Sequence, residues 1–507
     1  MPSGTETCPV VFFWPRNLTG TKKPDTIKQS GPHGRKTKAV RSRSMTQNKQ
    51  EQKHIVVIGA GAAGLMAAAA AAGQGCRVTV MEKNEKAGKK IYITGKGRCN
   101  LTNTCDTEEF FQYVVSNPKF LYSSIYSFDS AAVIDYFESR GCRIKIERGK
   151  RAFPVSDHAS DVTRALTDHL REMGVRILYN TEVSGIVTES LPGDPAAEEA
   201  GSAKKKKRPV RQTARVTGVL RKDGRTVPCD RVILCTGGCS YPATGSTGQG
   251  YEMAAAAGHS LIKPVPSLVP LTVKEEWPIR LQGLSLKNVE VTVFPLETEG
   301  EEDGHTGGKT AGKSRGKKKS RPVHQEFGEM LFTHFGITGP IILTASCYMD
   351  FDRYPGGFQV LLDLKPAIPL QELQERLERE FAAAPGKKLS NALRSLFPAR
   401  LAQEVALLSG LGEDTPVQTI GKAAIGELAV LIKQIPMTAT GTRGFREAII
   451  TRGGVRTAEI DPSTMESRIV KGLYLAGEVL DLDARTGGFN LQIAWSTGHL
   501  AGLSAVE

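Results

Sequence analysis

The first periodic segment of the chain is HIVVIGAGAAGLMAAAAAAGQGCRVTVME. Its apolar run at 54–59 predicts a short buried strand, its alanine-rich run at 63–73 a helix, and 77–82 a second strand ending in an acid. Two strands joined through a helix form a parallel pair, because a parallel crossover needs that length. Further on, 160–173 has amphipathic helical spacing. VRILYNTEVSGIV and ARVTGVLRKDGRTVPCDRVILCTGG then read as strand, hairpin and strand. Residues 266–296 and 325–364 alternate apolar and polar positions with frequent Gly and Pro, which predicts a mostly β middle lobe. Between 366 and 435 the spacing turns helical, as in LQELQERLEREFAAA and IGELAVLIKQI. The end, GLYLAGEVLDLDARTGGFNLQIAWSTGHLAG, returns to strand, glycine turn and helix, so the C-terminus is expected to complete the first domain.

These changes of period divide an α/β chain into pieces. Expected are a basic disordered tail at 1–50, a first domain part at 51–258 and a β-rich part at 259–365. A helical insertion at 366–436, a β return at 437–455 and a closing part at 456–507 follow. With 507 residues, more than one core is expected. No apolar run reaches the length of a membrane span. Of the formal charge of +14, residues 1–44 and the loops 189–215 and 297–321 carry nearly all. Gly, Pro, Ser and Lys dominate these stretches, so they read as solvated segments. No aromatic residues interleave with the charge, which argues against a nucleic-acid surface. The apolar patch Val10–Trp14 lacks the flanks of a secretory leader, and nine cysteines, an odd number, suit a reducing compartment. A cytoplasmic protein is expected.

The chemistry starts at Gly59-Ala60-Gly61-Ala62-Ala63-Gly64. Gly59 permits a tight turn, Gly61 lets backbone approach a pyrophosphate, and Gly64 lets helix and strand pack closely, while the helix N-terminus offers free N–H groups. Glu82, at the end of the second strand, is placed to accept ribose hydroxyls. This arrangement predicts a dinucleotide without separating FAD from NAD. Leu473–Glu478, LYLAGE, resembles the second signature of FAD-binding flavoproteins, where backbone and acid reach the phosphate and ribitol region. Gly487-Gly488-Phe489-Asn490 then opens a helix pointed at a flavin. Arg231–Gly238, which includes Thr236, Gly237 and Gly238, resembles the strand-plus-glycine segment such folds place near the cofactor. FAD is therefore the expected ligand. No second G-x-G-x-x-G follows a strand, since TGSTGQG reads as a loop, so NAD(P)H is expected only as a transient electron donor. Cys99 and Cys105 lack the four-residue spacer of a redox pair, and no His/Cys cluster has metal-ligand spacing.

GKKIYITGKGRCNLTN, GGCSYPATGSTGQGY, LFTHFGITGPIIL and the run from Thr451 to Gly502 resemble the BaiN/RdsA-type family of NAD(P)/FAD-dependent oxidoreductases. The resemblance runs from about His54 to the C-terminus. It implies a discontinuous Rossmann-like FAD domain, a β-barrel-like middle domain and a small helical insertion. It also implies that Ala63, Glu82, Arg98, Cys99, Asn100, Val183, Gly237, Gly454, Gly477, Glu478 and Asn490 line FAD. Ala62, Lys83, Thr236, Gly238, Gly488 and Leu491 stand beside them, and Cys99 acts through backbone and packing. One member of the family reduces C=C bonds conjugated to a 3-oxo group in bile-acid intermediates, so a steroid-like enone is the expected substrate; the alternatives are a flavin monooxygenase or dehydrogenase of another substrate, or an RNA-associated flavoprotein using the basic segments. Tyr241 and His334 are the candidate donors to such a substrate. The Gly453-Gly454 turn is expected to let it approach the flavin.

Overall fold

The computed structural model describes residues 52–192, 212–297 and 321–507; the basic tail and most of the two basic loops lie outside them. Its central sheet is built as the pattern implies. β1 (His54–Ile58), α1 (Ala62–Gly73) and β2 (Arg77–Met81) form the crossover, with β1 and β2 parallel. Arg231–Leu234 pairs with the other side of β1, Leu473–Leu475 lies beyond it, and Arg176–Leu178 flanks β2. All five strands run parallel, and β1 is buried along its whole length. The last strand arrives nearly 240 residues after its neighbour, which makes the domain discontinuous in sequence.

The alanine run has a packing reason. The C-terminal helix, Phe489–Ser504, crosses α1, and a Cβ added at Gly498 would lie 2.3 Å from the carbonyl of Ala63. One at Gly502 would lie equally close to that of Ala67, at 2.3 Å. Two glycines on one helix meet alanines on the other, so the backbones touch. α1 is apolar all round because it is buried between sheet and helix.

The middle of the chain forms a closed six-stranded barrel. Around it run Leu271–Val273, Gly336–Thr338, His324–Thr333, Ser285–Pro295, Phe358–Asp363 and Ile435–Thr442, each antiparallel to its neighbours. Leu286, Val289, Val291 and Val293 of the longest strand point into its core, the alternation that the sequence displays. The helices Leu370–Ala382, Ala399–Leu408 and Lys422–Lys433 sit between two barrel strands and share that core through Leu373, Leu377, Val405 and Leu428. Arg280 anchors them, donating to the buried Glu404 carboxylate at 2.6 and 3.1 Å.

One sequence expectation is corrected here. Leu261–Ser267 and Ile450–Val455 lie outside the closed barrel and pair with each other as an antiparallel ribbon. Gly453 and Gly454 are therefore strand residues rather than a turn, at φ +88° and +130°. Among the described residues no helix is long and apolar enough to cross a membrane.

Candidate functional site

A cleft of about 680 Å³ opens along the C-terminal edge of the parallel sheet. At one end lies the turn after β1, and its three glycines differ in their surroundings. A Cβ at Gly59 would stand 2.6 Å from the Cys235 carbonyl, and one at Gly64 only 1.9 Å from that of Gly59. At Gly61 no protein atom lies within 4 Å of that position. Two glycines close the turn, and the third leaves space in front of the α1 N-terminus, where helix N–H groups are without intrahelical partners. The Glu82 carboxylate accepts from the Ala60 N–H at 2.8 Å and from the backbone and amide of Asn84 at 2.8 and 2.6 Å. It ties the end of β2 to the glycine turn.

Glu478 organises the centre of the cleft. Its carboxylate accepts from Lys90 Nζ at 2.6 Å, the Ser240 hydroxyl at 2.8 Å and the Thr451 N–H at 2.7 Å. Burial opposes its ionisation, but the Lys90 ammonium, with the Ser240 and Thr451 donors, holds the carboxyl below its ordinary range. The Thr451 hydroxyl accepts the N–H groups of Cys239 and Ser240 at 2.8 and 3.1 Å. This one acid thus locks together the 237–240 turn, the ribbon and the Lys90 segment. At the far end the C-terminal helix begins behind Gly487 and Gly488, both in the left-handed region at φ +128° and +101°. The Asn490 amide holds this loop by donating to Ala484 O at 2.7 Å and accepting from its N–H at 2.9 Å. With its amide oriented to satisfy both groups, Asn100 accepts from the Gly488 N–H at 3.0 Å.

Most of the residues singled out from sequence line this cleft: Gly59, Gly61, Ala62 and Ala63 at the turn, and Glu82, Lys83 and Val183 beside it. Asn100, Thr236, Gly237, Gly477, Glu478, Gly488, Asn490, Leu491 and Tyr241 line the remainder. The others stand outside the lining, each for a physical reason. Gly64 is packing, and a Cβ at Gly238 would meet the Thr451 hydroxyl at 2.4 Å. An added Cβ at Gly454 would stand 2.7 Å from the Val479 carbonyl and one at Gly453 2.4 Å from that of Lys263, so both glycines serve close backbone packing. The Arg98 guanidinium pairs with Glu147 and with Asp157 (2.8 Å) while lying over Phe153. Cys99 is fully buried, which pushes its thiol up to about 12, and Cys105 is likewise a free thiol. His334 is exposed in the hairpin turn between two barrel strands, away from the cleft lining. Tyr241 is the candidate donor that the fold brings to the cleft. Its phenol makes no hydrogen bond among the described residues, and burial raises its pKa above the ordinary value.

Lys90, Ser240, Thr451 and Arg485 are site residues that the sequence reading passed over. All four lie inside the quoted motifs, but only the meeting of Lys90, Ser240 and Thr451 at Glu478 in space distinguishes those three. Among the described residues no group of three or more His, Cys, Asp or Glu could hold a metal ion.

A parallel sheet with a glycine turn and an acid at its carboxyl edge defines a Rossmann-type protein whose ligand cleft lies beyond the strand ends. A family described as the HI0933-like protein Rossmann domain matches residues 53–504, and the chain belongs to it. The resemblance to BaiN/RdsA-type oxidoreductases read from the motifs is borne out by this family and by curated relatives. The chain is 32% identical over 432 residues to the 3-dehydro-bile acid delta(4,6)-reductase of Clostridium scindens, covering 85% of this chain and 93% of that one. It is 31% identical over 432 residues to a ribosomal RNA dihydrouridine synthase of Haemophilus influenzae, covering 85% and 92%. The corresponding Escherichia coli synthase is 29% identical over 430 residues, covering 84% and 91%.

Proposed function

We propose that this protein is an FAD-dependent oxidoreductase that reduces a C=C bond conjugated to a carbonyl, with NAD(P)H as transient electron donor. The observation that carries the reading is one cleft joining the Gly61 turn, the Glu478 clamp and the start of the C-terminal helix. Two features fit FAD. The open space at Gly61 suits a pyrophosphate, and the Thr236 hydroxyl in the same cleft is buried without a hydrogen-bond partner. Gly59, Gly61, Ala62 and Ala63 would hold the pyrophosphate, and Glu82, Lys83 and Val183 the adenosine. Asn100, Gly237, Gly477, Glu478, Gly488, Asn490 and Leu491 would surround the flavin end. FAD bound there would supply the two-electron hydride chemistry. The chain's own residues shape the cleft, exclude water with Leu268, Ile449 and Ile450, and present the protonated phenol of Tyr241 as a proton donor.

The names of the relatives support the acceptor class. A delta(4,6)-reductase and a dihydrouridine synthase both saturate a C=C bond conjugated to a carbonyl. The first reading for this chain is a 3-oxo-Δ4 or 3-oxo-Δ4,6 bile-acid intermediate. The second, favoured by the nearly equal identity to the synthases, is a uridine ring in RNA. Anaerobic reoxidation of the NAD(P)H-reduced protein by a steroid dienone or by ribosomal RNA separates them. Loss of the dienone absorbance supports the first reading, and saturated uridine with the dienone untouched moves the assignment to the second. A loaded, reducible flavin that neither substrate reoxidises overturns the proposal.

A further inference from the structure

Arg485 lines the cleft in the loop leading to the C-terminal helix. Its N–H donates to the Tyr113 carbonyl at 2.9 Å, and its Nε donates to the Tyr348 hydroxyl at 2.8 Å. The guanidinium lies 5.4 Å from the centroid of the Tyr348 ring and 6.0 Å from that of Tyr113. Tyr348 stacks in turn on His324 of the barrel, with ring centroids 4.9 Å apart and planes 9° from parallel. Arg485 is thus fixed from the sheet side by Tyr113 and from the barrel side by Tyr348.

Its charge is permanent, and only Nε of its donors is engaged by its side chain. The two terminal NH₂ groups make no hydrogen bond or ion pair among the described residues. By contrast, Lys83 donates to the Thr247 hydroxyl at 2.9 Å, Lys89 pairs with Glu85 at 3.2 Å, and Lys90 pairs with Glu478 at 2.6 Å. Lys96 is unpaired too, but its side chain is exposed on a flexible stem. A guanidinium held rigidly beside a cleft, with its fork free and no counter-charge, is a preorganised oxyanion receptor.

We propose that Arg485 is a catalytic residue that receives the carbonyl oxygen of the substrate and stabilises the enolate formed during reduction. The inference rests on the reductase reading above. With FAD held in the cleft, the carbon β to the carbonyl would accept a hydride, with its electron pair, from the reduced cofactor. The C=C π pair shifts to form the enolate double bond, and the carbonyl π pair moves onto oxygen, opposite the Arg485 fork. Protonation of the α carbon by Tyr241 or water restores the carbonyl, leaving the flavin oxidised and the substrate reduced.

The probe is p-nitrophenolate, an oxyanion conjugated to a ring, titrated into the oxidised holoprotein and followed by phenolate and flavin absorbance. Arg485→Gln is expected to weaken its binding about ten- to a hundredfold, as loss of a charged hydrogen bond does. Arg485→Lys should lie between, with FAD content and flavin midpoint potential unchanged in both. If the Gln variant does not fold, Tyr348→Phe frees Nε while keeping the charge, and a several-fold weakening is expected. The inference is overturned if the wild type does not bind the phenolate or if the variants bind it equally well. A shift of flavin potential or FAD content at unchanged phenolate affinity also overturns it, assigning Arg485 to the cofactor. A wild type that binds the phenolate through Arg485 yet reduces no enone overturns the reductase reading and leaves the oxyanion site standing.

Discussion

Gly61 and the pair Gly453-Gly454 look alike in sequence and do opposite things in space. Gly61 edges the cleft and in front of it there is room; Gly453 and Gly454 sit in the ribbon, where carbonyls of Lys263 and Val479 fill the room, as that of Cys235 does at Gly59. A missing side chain makes way for a ligand in one place and for the protein's own backbone in the other. What decides is the neighbouring element: Gly61 stands before the N-terminus of α1 beyond the strand end, whereas the ribbon pair crosses an antiparallel partner.

Substitutions test that contrast, beginning with the largest effect. Gly64→Val and Gly453→Val place a Cβ inside backbone contact, the second at positive φ, so each is expected to cost about 3 kcal/mol or more. Both should appear as lost soluble yield or a collapsed melting transition. At Gly61 an added Cβ meets no protein atom within 4 Å, so the apoprotein of Gly61→Val should melt far closer to the wild type than those two while FAD binding is lost. Equal damage to the apoprotein at all three positions would erase the distinction.

Asp483 extends the contrast to the layer behind the cleft wall. It is fully buried, with one oxygen unpartnered and the other accepting from Ser267 at 3.3 Å, and burial raises its carboxyl to about 6. Ser116, Arg452 and Asp481 face it. The fold keeps this proton where the unfolded chain has already released it, so stability falls as pH rises from about 4 through about 6, by roughly 2 to 3 kcal/mol. Melting followed from pH 4 to 8 should show Asp483→Asn gaining on the wild type as pH rises. A constant difference would remove the buried charge from the account.

The smallest effects separate the two candidate donors. Tyr241→Phe should lower kcat on an enone by about ten- to a hundredfold with FAD still bound, the range of an assisting general acid. His334→Ala, in an exposed turn, should change neither kcat nor KM; a large loss there would mean that the barrel hairpin reaches the substrate.

The sheet, the glycine turn, the acid after β2 and the helical insertion are legible in sequence because each imposes a local period or a local backbone demand. The alanines of α1 are legible as a helix, but their smallness becomes meaningful only against Gly498 and Gly502, which lie more than 400 positions away. The same holds for the centre of the site. Glu478 reads as a cofactor contact until Lys90, Ser240 and Thr451 are seen to converge on it, and none of the four is near another in the chain apart from the pair separated by 27 positions. The ion pairs of Arg98 are not legible for the converse reason, since its partners Glu147 and Asp157 belong to no motif.

The ribbon of Leu261–Ser267 and Ile450–Val455 has an evolutionary consequence. The barrel and its helices leave and rejoin the sheet domain through two strands that lie side by side. Such an excursion is attached like a graft at a single stem. The excursion can then be remodelled over generations with the sheet domain inherited intact, and the cleft changes with it where the stem supplies Leu268, Ile449 and Ile450.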